Sequence, residues 1–310
     1  MALNYAEVWS PDLLEIMEQE SLTSPFVTTA VKWLSAKTFH FTQMSTSGYK
    51  SHSRLGGWNK GTFAQTDVPF TLTHDRDISF LVDKIDVDET NETASIKNIS
   101  EVFHKTQQIP EMDAYFYSKV ATEAQKLEGY HSSTALSSYT KENVYGKLKA
   151  MLSAGKLRRY VAKGALIAYV NSTIMDLLEQ STDFTRKIEM TQIAEGGIGI
   201  ETRITDIDGV TLIEVIDDER FYDKFDFTDG FAPVASTSHK INVLIASPLT
   251  VKTVPKIASI YYFNPGQHTE GDGYLYQDRS LSDTFVFPNG KDNKIDSIYV
   301  DVDTATYTAE

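Results

Sequence analysis

Ile109-Pro110-Glu111-Met112-Asp113-Ala114-Tyr115-Phe116-Tyr117-Ser118-Lys119-Val120 contains the start of a helical pattern more than four turns long. Met112, Tyr115, Phe116, Val120, Ala124 and Leu127 recur at helical spacing and keep one apolar face over residues 111–127. Upstream, Ile96, Ile99, Val102 and Phe103 show the same period. Pro110 lacks an N–H and interrupts that run, so two helices are expected, the second beginning at Glu111. Gly129 is the expected stop.

Before these helices the period is two. Phe39 and Phe41 alternate with polar residues, as do Val68, Phe70 and Leu72, and then Ile78, Phe80 and Val82. Between them, Thr42 to Asp67 has no Ile or Val and is rich in Ser, Thr, Gly, Lys and Gln. Tyr49, Leu55, Trp58 and Phe63 are scattered singly through it, and Gly56-Gly57 and Asn59-Lys60-Gly61 mark turns. This reads as a long β-hairpin without a core of its own, either mobile or ordered by another part of the chain or another chain, the second being the favoured reading. Ser10-Pro11-Asp12 starts a short N-terminal helix with Leu13, Leu14 and Met17 on a narrow stripe.

Downstream, elements mix without a regular βαβ beat. Thr140 caps a helix carrying Val144, Leu148, Met151 and Leu152, and Gly155 ends it. A strand over 165–170 leads into a helix capped by Asn171, with Ile174, Leu177 and Leu178 inward. Strands over 198–207 and 210–216 flank Asp208-Gly209, a hairpin turn. An acidic, aromatic loop spans 217–231. Strands over 240–246, 257–263, 285–287 and 295–302 follow, with a loop at 266–273. The pattern is α+β.

The chain has 310 residues, so a prior of about two domains applies. At 41% hydrophobic and 23% charged it has enough apolar material for a sizeable core. Its net charge of −14 makes it a poor general binder of nucleic acid. With no cysteine, thiolate metal sites, disulfides and cysteine nucleophiles are excluded. No apolar run is long enough to span a membrane, and the first residues do not read as a signal peptide.

Motifs for chemistry are weak. The seven histidines form no metal-binding pair, and no cofactor or metal is expected. His74-Asp75-Arg76-Asp77 lacks every companion motif of a kinase loop. Gly196-Gly197-Ile198-Gly199 has the wrong spacing for a dinucleotide loop. Asp83, Asp86, Asp88 and Glu89 read as a solvated strand end with at most weak divalent binding. Asp206 and Asp208 share a strand face, the basis of an alternative hydrolase reading, yet nothing raises them above a turn. Lys147, Lys149, Lys156, Arg158, Arg159 and Lys163 form a basic stretch. Its expected partners are Asp217, Asp218, Phe221, Tyr222 and Asp226 of the acidic loop on another subunit, since complementary patches set register between chains. Tyr49, Leu55, Trp58 and Phe63 are the further contact candidates.

Gln108-Ile109-Pro110-Glu111-Met112-Asp113-Ala114-Tyr115 with Ser118-Lys119 resembles the major capsid proteins of tailed phages of Gram-positive bacteria. Phe80-Leu81-Val82-Asp83, Ala168-Tyr169-Val170-Asn171, Lys240 to Ala246 with Pro248, and Ile257 to Pro265 agree in order. The resemblance implies the Hong Kong 97 capsid fold. Its parts here would be an N-terminal arm (1–35), an extended loop (36–83), a peripheral domain (84–136) with its spine helix (111–127), an axial domain (137–253), and returning strands (254–310) that complete the peripheral domain. It implies a structural, self-assembling shell of hexamers and pentamers, first a procapsid and then a virion head, that encloses double-stranded DNA. Assembly would occur in the host bacterial cytoplasm. A portal protein and a decoration protein would be its partners. An encapsulin-type cellular compartment is the alternative on the same fold. Because the arm begins near Met1, a separate scaffolding protein and no maturation cleavage are expected. Lys50 and Lys60 lie in the loop, but the asparagine and glutamate of the family's Lys–Asn crosslink have no match, so no crosslink is expected.

Overall fold

A computed structural model describes residues 21–29, 37–52, 54, 56–85, 96–162, 164–181, 188–191, 202–289 and 294–308. The expected N-terminal helix, the glycine run at 196–199, Leu55, Lys163, Asp86, Asp88 and Glu89 lie outside these residues.

In chain order, β1 (Thr38–Thr46) and β2 (Phe63–Thr71) form the hairpin, and β3 (His74–Asp83) follows. Then come α1 (Ile96–Phe103), a π-helical turn (His104–Gln108), α2 (Ile109–Gln125), β4 (His131–Ser133), α3 (Val144–Leu152), α4 (Arg158–Val161), β5 (Ile167–Asn171) and α5 (Ser172–Glu179). The remainder is strand: β6 (Ile188–Thr191), β7 (Thr202–Ile207), β8 (Val210–Val215), β9 (Phe225–Asp226), β10 (Ala232–Pro233), β11 (His239–Ala246), β12 (Val251–Phe263), β13 (Gly273–Val286) and β14 (Ile298–Thr306).

A seven-stranded mixed sheet, ordered β4-β14-β11-β5-β8-β7-β6, forms one centre. Side chains alternate across it. Val243, Ile245, Ala168 and Val170 face α3, α4 and α5, whereas Leu244, Ala246, Tyr169 and Val300 face α2. A second sheet, β12-β13-β3, is long and antiparallel, with Tyr276 opposite both Tyr262 and Phe80. β1 and β2 pair over nine residues from Thr38↔Thr71 to Thr46↔Phe63.

Several local readings hold for stated reasons. Asn171 caps α5, its Oδ1 accepting from Thr173 N at 2.9 Å. Asp208 (φ 53°) and Gly209 (φ 81°) both take the left-handed backbone that a two-residue hairpin turn requires. Other readings are corrected. Pro110 does not separate two helices. It sits in the first turn of α2, which begins at Ile109 and not at Glu111, and what lies between α1 and α2 is the π-helical turn His104–Gln108. The strand read at 285–287 is the end of a fourteen-residue strand. Asp278, Arg279, Ser280, Ser282 and Asp283 broke its apolar alternation. The hairpin also has a small core at its root: Phe39 lies 5.2 Å from Phe285, and Phe70 lies 4.9 Å from Phe287, ring centre to ring centre.

Helix α2 carries the buried polar contacts. Asp113 is fully buried and accepts from Ser21 Oγ (2.9 Å), Leu22 N (3.2 Å) and Thr23 Oγ1 (2.7 Å). Arg220, also buried, donates to it at 3.2 Å. Burial pushes the Asp113 carboxyl up, and the Arg220 charge and the three donors oppose that shift. Next to this pair, Phe26 packs 4.7 Å from Phe116, and Tyr169 donates to Leu22 O at 2.8 Å.

Removing one member of a buried ion pair leaves the other charged and dry, so Arg220→Met is expected to cost about 3–5 kcal/mol in denaturant unfolding. Phe116→Ala is expected to cost a similar 3–5 kcal/mol by opening a cavity. A neutral result for either would show that the helix packs on a different face.

Candidate inter-subunit surfaces

The hairpin presents the first surface. β-strands lengthen by about 3.3 Å per residue, so nine paired residues hold the tip about 30 Å from Thr38 and Thr71. Among the described residues the tip is ordered by local polar contacts, such as Asn59 Nδ2 donating to Ser51 O at 2.8 Å. Trp58 is 95% exposed and Phe63 is 74% exposed, and Tyr49 and Met44 are also open to solvent. His52 is the ring nearest Trp58, at 6.2 Å. From residue 38 to residue 66 there is no Asp or Glu, while Lys50, Arg54 and Lys60 fall in that span. None of the three has an ion-pair partner among the described residues.

A groove of about 630 Å³ forms the second surface. The start of β3, the first turn of α2, β13 and the loop at 228–230 enclose it. Ile78, Phe80, Phe103 and Met112 supply apolar lining. Asp75, Asp77, Glu111, Asp229 and Asp278 line it against one cation, Arg76. Glu111 is committed to Arg76 at 2.6 Å and faces His74 at 3.5 Å, and His74 stacks on Tyr115 at 3.9 Å. Arg76 also donates to Gly230 O at 3.1 Å. Asp75 takes Arg279 and Lys37, each at 2.9 Å. Asp77 faces Arg279 across the β13–β3 register, and Asp229 is exposed with no ion-pair partner among the described residues. A smaller groove of about 290 Å³ flanks Pro110 and Phe231 and carries Asp217, Asp218 and Glu219.

The basic stretch and the acidic loop already have partners inside the chain. Lys147 donates to Ser138 O at 2.9 Å and lies 4.2 Å from the Tyr139 ring centre. Lys149 pairs with Asp208 at 3.2 Å, Arg158 donates to Ser153 Oγ at 2.8 Å, and Arg159 pairs with Asp296 at 3.5 Å. Asp217 pairs with Arg220, Asp218 pairs with Lys240, and Asp226 accepts from Thr228 N at 2.9 Å. Tyr222 is half-buried against Tyr307. Phe221 corrects the expectation outright, since it is fully buried in the core at 5.0 Å from Tyr117. The acidic residues around it suggested exposure, but the loop turns it inward against Tyr117. Sequence reading missed Arg220 itself, although a lone arginine directly after Asp217-Asp218-Glu219 was the available signal. Asp208 sits at an exposed turn held by Lys149, which suits a hairpin and not a catalytic pair. Among the described residues no group of three His, Asp or Glu is arranged to hold a metal, and no helix is long and apolar enough to cross a membrane.

Hydrogen bonds from Arg279 and then Lys37 lower the Asp75 carboxyl from 3.8 to about 2. Its folded value is depressed, so the stability it contributes is present above about pH 4 and is lost as pH falls toward 2. NMR titration should find Asp75 ionising well below 3.8 and moving up toward that value in Arg279→Ala. An unmoved value would exclude the pair from the folded chain in solution.

No family model matches the sequence, and no curated protein sequence matches it. Solved structures do match. The asymmetric unit of the mature capsid of bacteriophage PhiM1 aligns with a TM-score of 0.63 at 12% identity, over 97% of this chain and 92% of that one. The capsid of cyanophage P-SCSP1u aligns at 0.60 and 11%, over 96% and 92%. A chain of Mycobacterium phage Che8 aligns at 0.56 and 13%, over 94% and 95%. The sheets, the long helix and the projecting hairpin described above are those of the Hong Kong 97-type capsid fold, and this chain has that fold.

Proposed function

We propose that this chain is a major capsid protein: a structural subunit that assembles with copies of itself into the icosahedral head shell of a tailed bacteriophage around double-stranded DNA. The observation that carries the reading is the likeness to phage capsid structures over nearly the whole chain, hairpin included. That likeness favours a phage head over an encapsulin-type compartment and a structural role over catalysis. In this reading residues 1–35 serve as the arm and 36–83 as the extended loop. Residues 84–136 and 254–310 form the peripheral domain, and 137–253 the axial domain. Hexamers and pentamers are the units of assembly, in the host cytoplasm and then in the virion. A separate scaffolding protein and a portal protein are the partners the role calls for, and a decoration protein fits it as well.

The exposed hairpin supports this reading physically. An aromatic tip held far from its own core gains stability only by burial elsewhere, and Phe or Trp buries about 150–250 Å². Each contact between subunits can be weak, because many contacts per subunit add through effective concentration. The net charge of −14 suits a container, since like charge keeps packed phosphate from adhering to the wall.

Deleting residues 44–64 tests the proposal. The truncated chain is expected to keep its melting transition, because the seven-stranded sheet, the β12-β13-β3 sheet and the three core clusters of the described residues lie outside the deletion, which shortens only the β1-β2 hairpin. It is expected to form no particles in electron micrographs where the full chain forms them. Shells formed by the truncated chain would refute the role given to the hairpin.

A further inference from the structure

We propose that His104 is a pH-sensitive latch: its imidazolium closes a hydrogen-bonded ring that holds the π-helical turn and α1 to Asp278 of β13, and loss of one proton opens that ring. The latch lies within one chain and stands apart from the shell reading above.

Asp278 needs a cation. Its side chain is 5% exposed, and no lysine or arginine pairs with it among the described residues. Ile260 and Ile78 flank it across the sheet. A buried carboxylate without a balancing charge is costly. Two neutral side chains reach it. Tyr276 donates its hydroxyl to Oδ2 at 3.3 Å, and Gln108 Nε2 donates to the same oxygen at 3.4 Å. Burial, then the Asp278 charge and hydrogen bond, pushes Tyr276 up to about 12, so the phenol keeps its proton and donates.

Those two bonds decide the protons on His104. With Gln108 Nε2 turned to Asp278, Oε1 is the atom that meets His104 Nδ1, and that oxygen only accepts. With the Tyr276 proton on Asp278, the phenol oxygen accepts from His104 Nε2 at 3.0 Å. Both ring nitrogens must then donate, which only the imidazolium does. Its positive charge reaches one carboxylate through two neutral relays. A neutral imidazole has a single N–H, so one bond of the ring is lost, and the charge that balances Asp278 goes with it.

The place of the ring gives it leverage. Pro110 has no N–H and would crowd the Thr106 carbonyl in a continuous α-helix. Ile109 N donates instead to His104 O, five residues back. His104 and Gln108 are the first and last residues of this wider turn, so the latch ties both of its ends to β13. α1 follows through Phe103, whose ring lies 5.5 Å from Phe80. Gln108 and Asp278 also line the groove of about 630 Å³, and the latch shapes that wall. Most surrounding charges are committed elsewhere. Lys105 pairs with Glu101 at 3.0 Å, Glu111 of α2 holds Arg76 and faces His74, and Asp75 and Asp77 of β3 face Arg279. Asp229 stands on the 228–230 loop at the groove's far wall. The latched chain binds one more proton than the open one, so latching strengthens as pH falls and is lost as pH rises.

Hydrogen exchange of the full-length chain tests the latch, read by mass spectrometry and corrected for the intrinsic pH dependence of exchange. Protection of residues 96–108 is expected to fall about tenfold between about pH 5 and pH 8, the range in which histidine titrates, while that of α5 stays level. His104→Gln carries no charge at either pH and is expected to abolish the change. Tyr276→Phe removes one relay with the ring retained, and it is expected to shrink the change; it serves alone if His104→Gln also costs α5 its protection. A flat profile in the unmodified chain, or an unaltered profile in either variant that keeps α5 protected, would overturn the latch.

Discussion

The fold depends on the buried charge of Asp113. One carboxylate on α2 binds the backbone and hydroxyls of residues 21–23 and the guanidinium of Arg220. It thereby joins two segments distant in sequence to one helix. The neighbouring motif residues extend the same logic. Glu111 holds Arg76 at the start of β3, and Tyr115 donates to Asp283 of β13 at 2.8 Å. Asp283 in turn accepts from Thr73 N and Oγ1, each at 2.9 Å, where β2 passes into β3. Glu111, Asp113 and Tyr115 thus fix the root of the hairpin, the second sheet and the N-terminal segment relative to one helix. A buried carboxylate is costly unless every lone pair is used, so this arrangement specifies one geometry more than it adds stability.

That constraint explains how a chain with so long a projection keeps it aimed. The hairpin's root is packed through Phe39, Phe70, Phe285 and Phe287, and its end is bare. The rigid part fixes direction and the bare part supplies surface for another molecule. In the proposed shell, contacts made this way can be individually modest, which would let a misplaced subunit leave before closure.

The sequence carried much of this, and its silences have causes. The hairpin was legible because a loss of Ile and Val between two alternating runs admits few other readings. The Asn171 cap and the Asp208-Gly209 turn were legible because local chemistry alone decides them. The long strand β13 was not, since its polar residues bond to α2, to β3 and to one another, partners that no local window contains. Asp113 and Tyr117 sat among the buried residues of α2 while apolar periodicity singled out their neighbours. Reading the acidic loop as the partner of the basic stretch placed Phe221 on the outside, because an aromatic in an acidic loop has no local mark of burial. The groove gathers β3, α2, β13 and the 228–230 loop, and only the folded chain shows that its acids converge.

The central claim is that this chain builds a shell from copies of itself. The most direct measurement is the mass of the purified full-length chain by light scattering, alone and with a scaffolding protein. Masses at multiples of five and six subunits, or closed particles, are the predicted result. A chain that stays at 34.8 kDa under both conditions would contradict the claim.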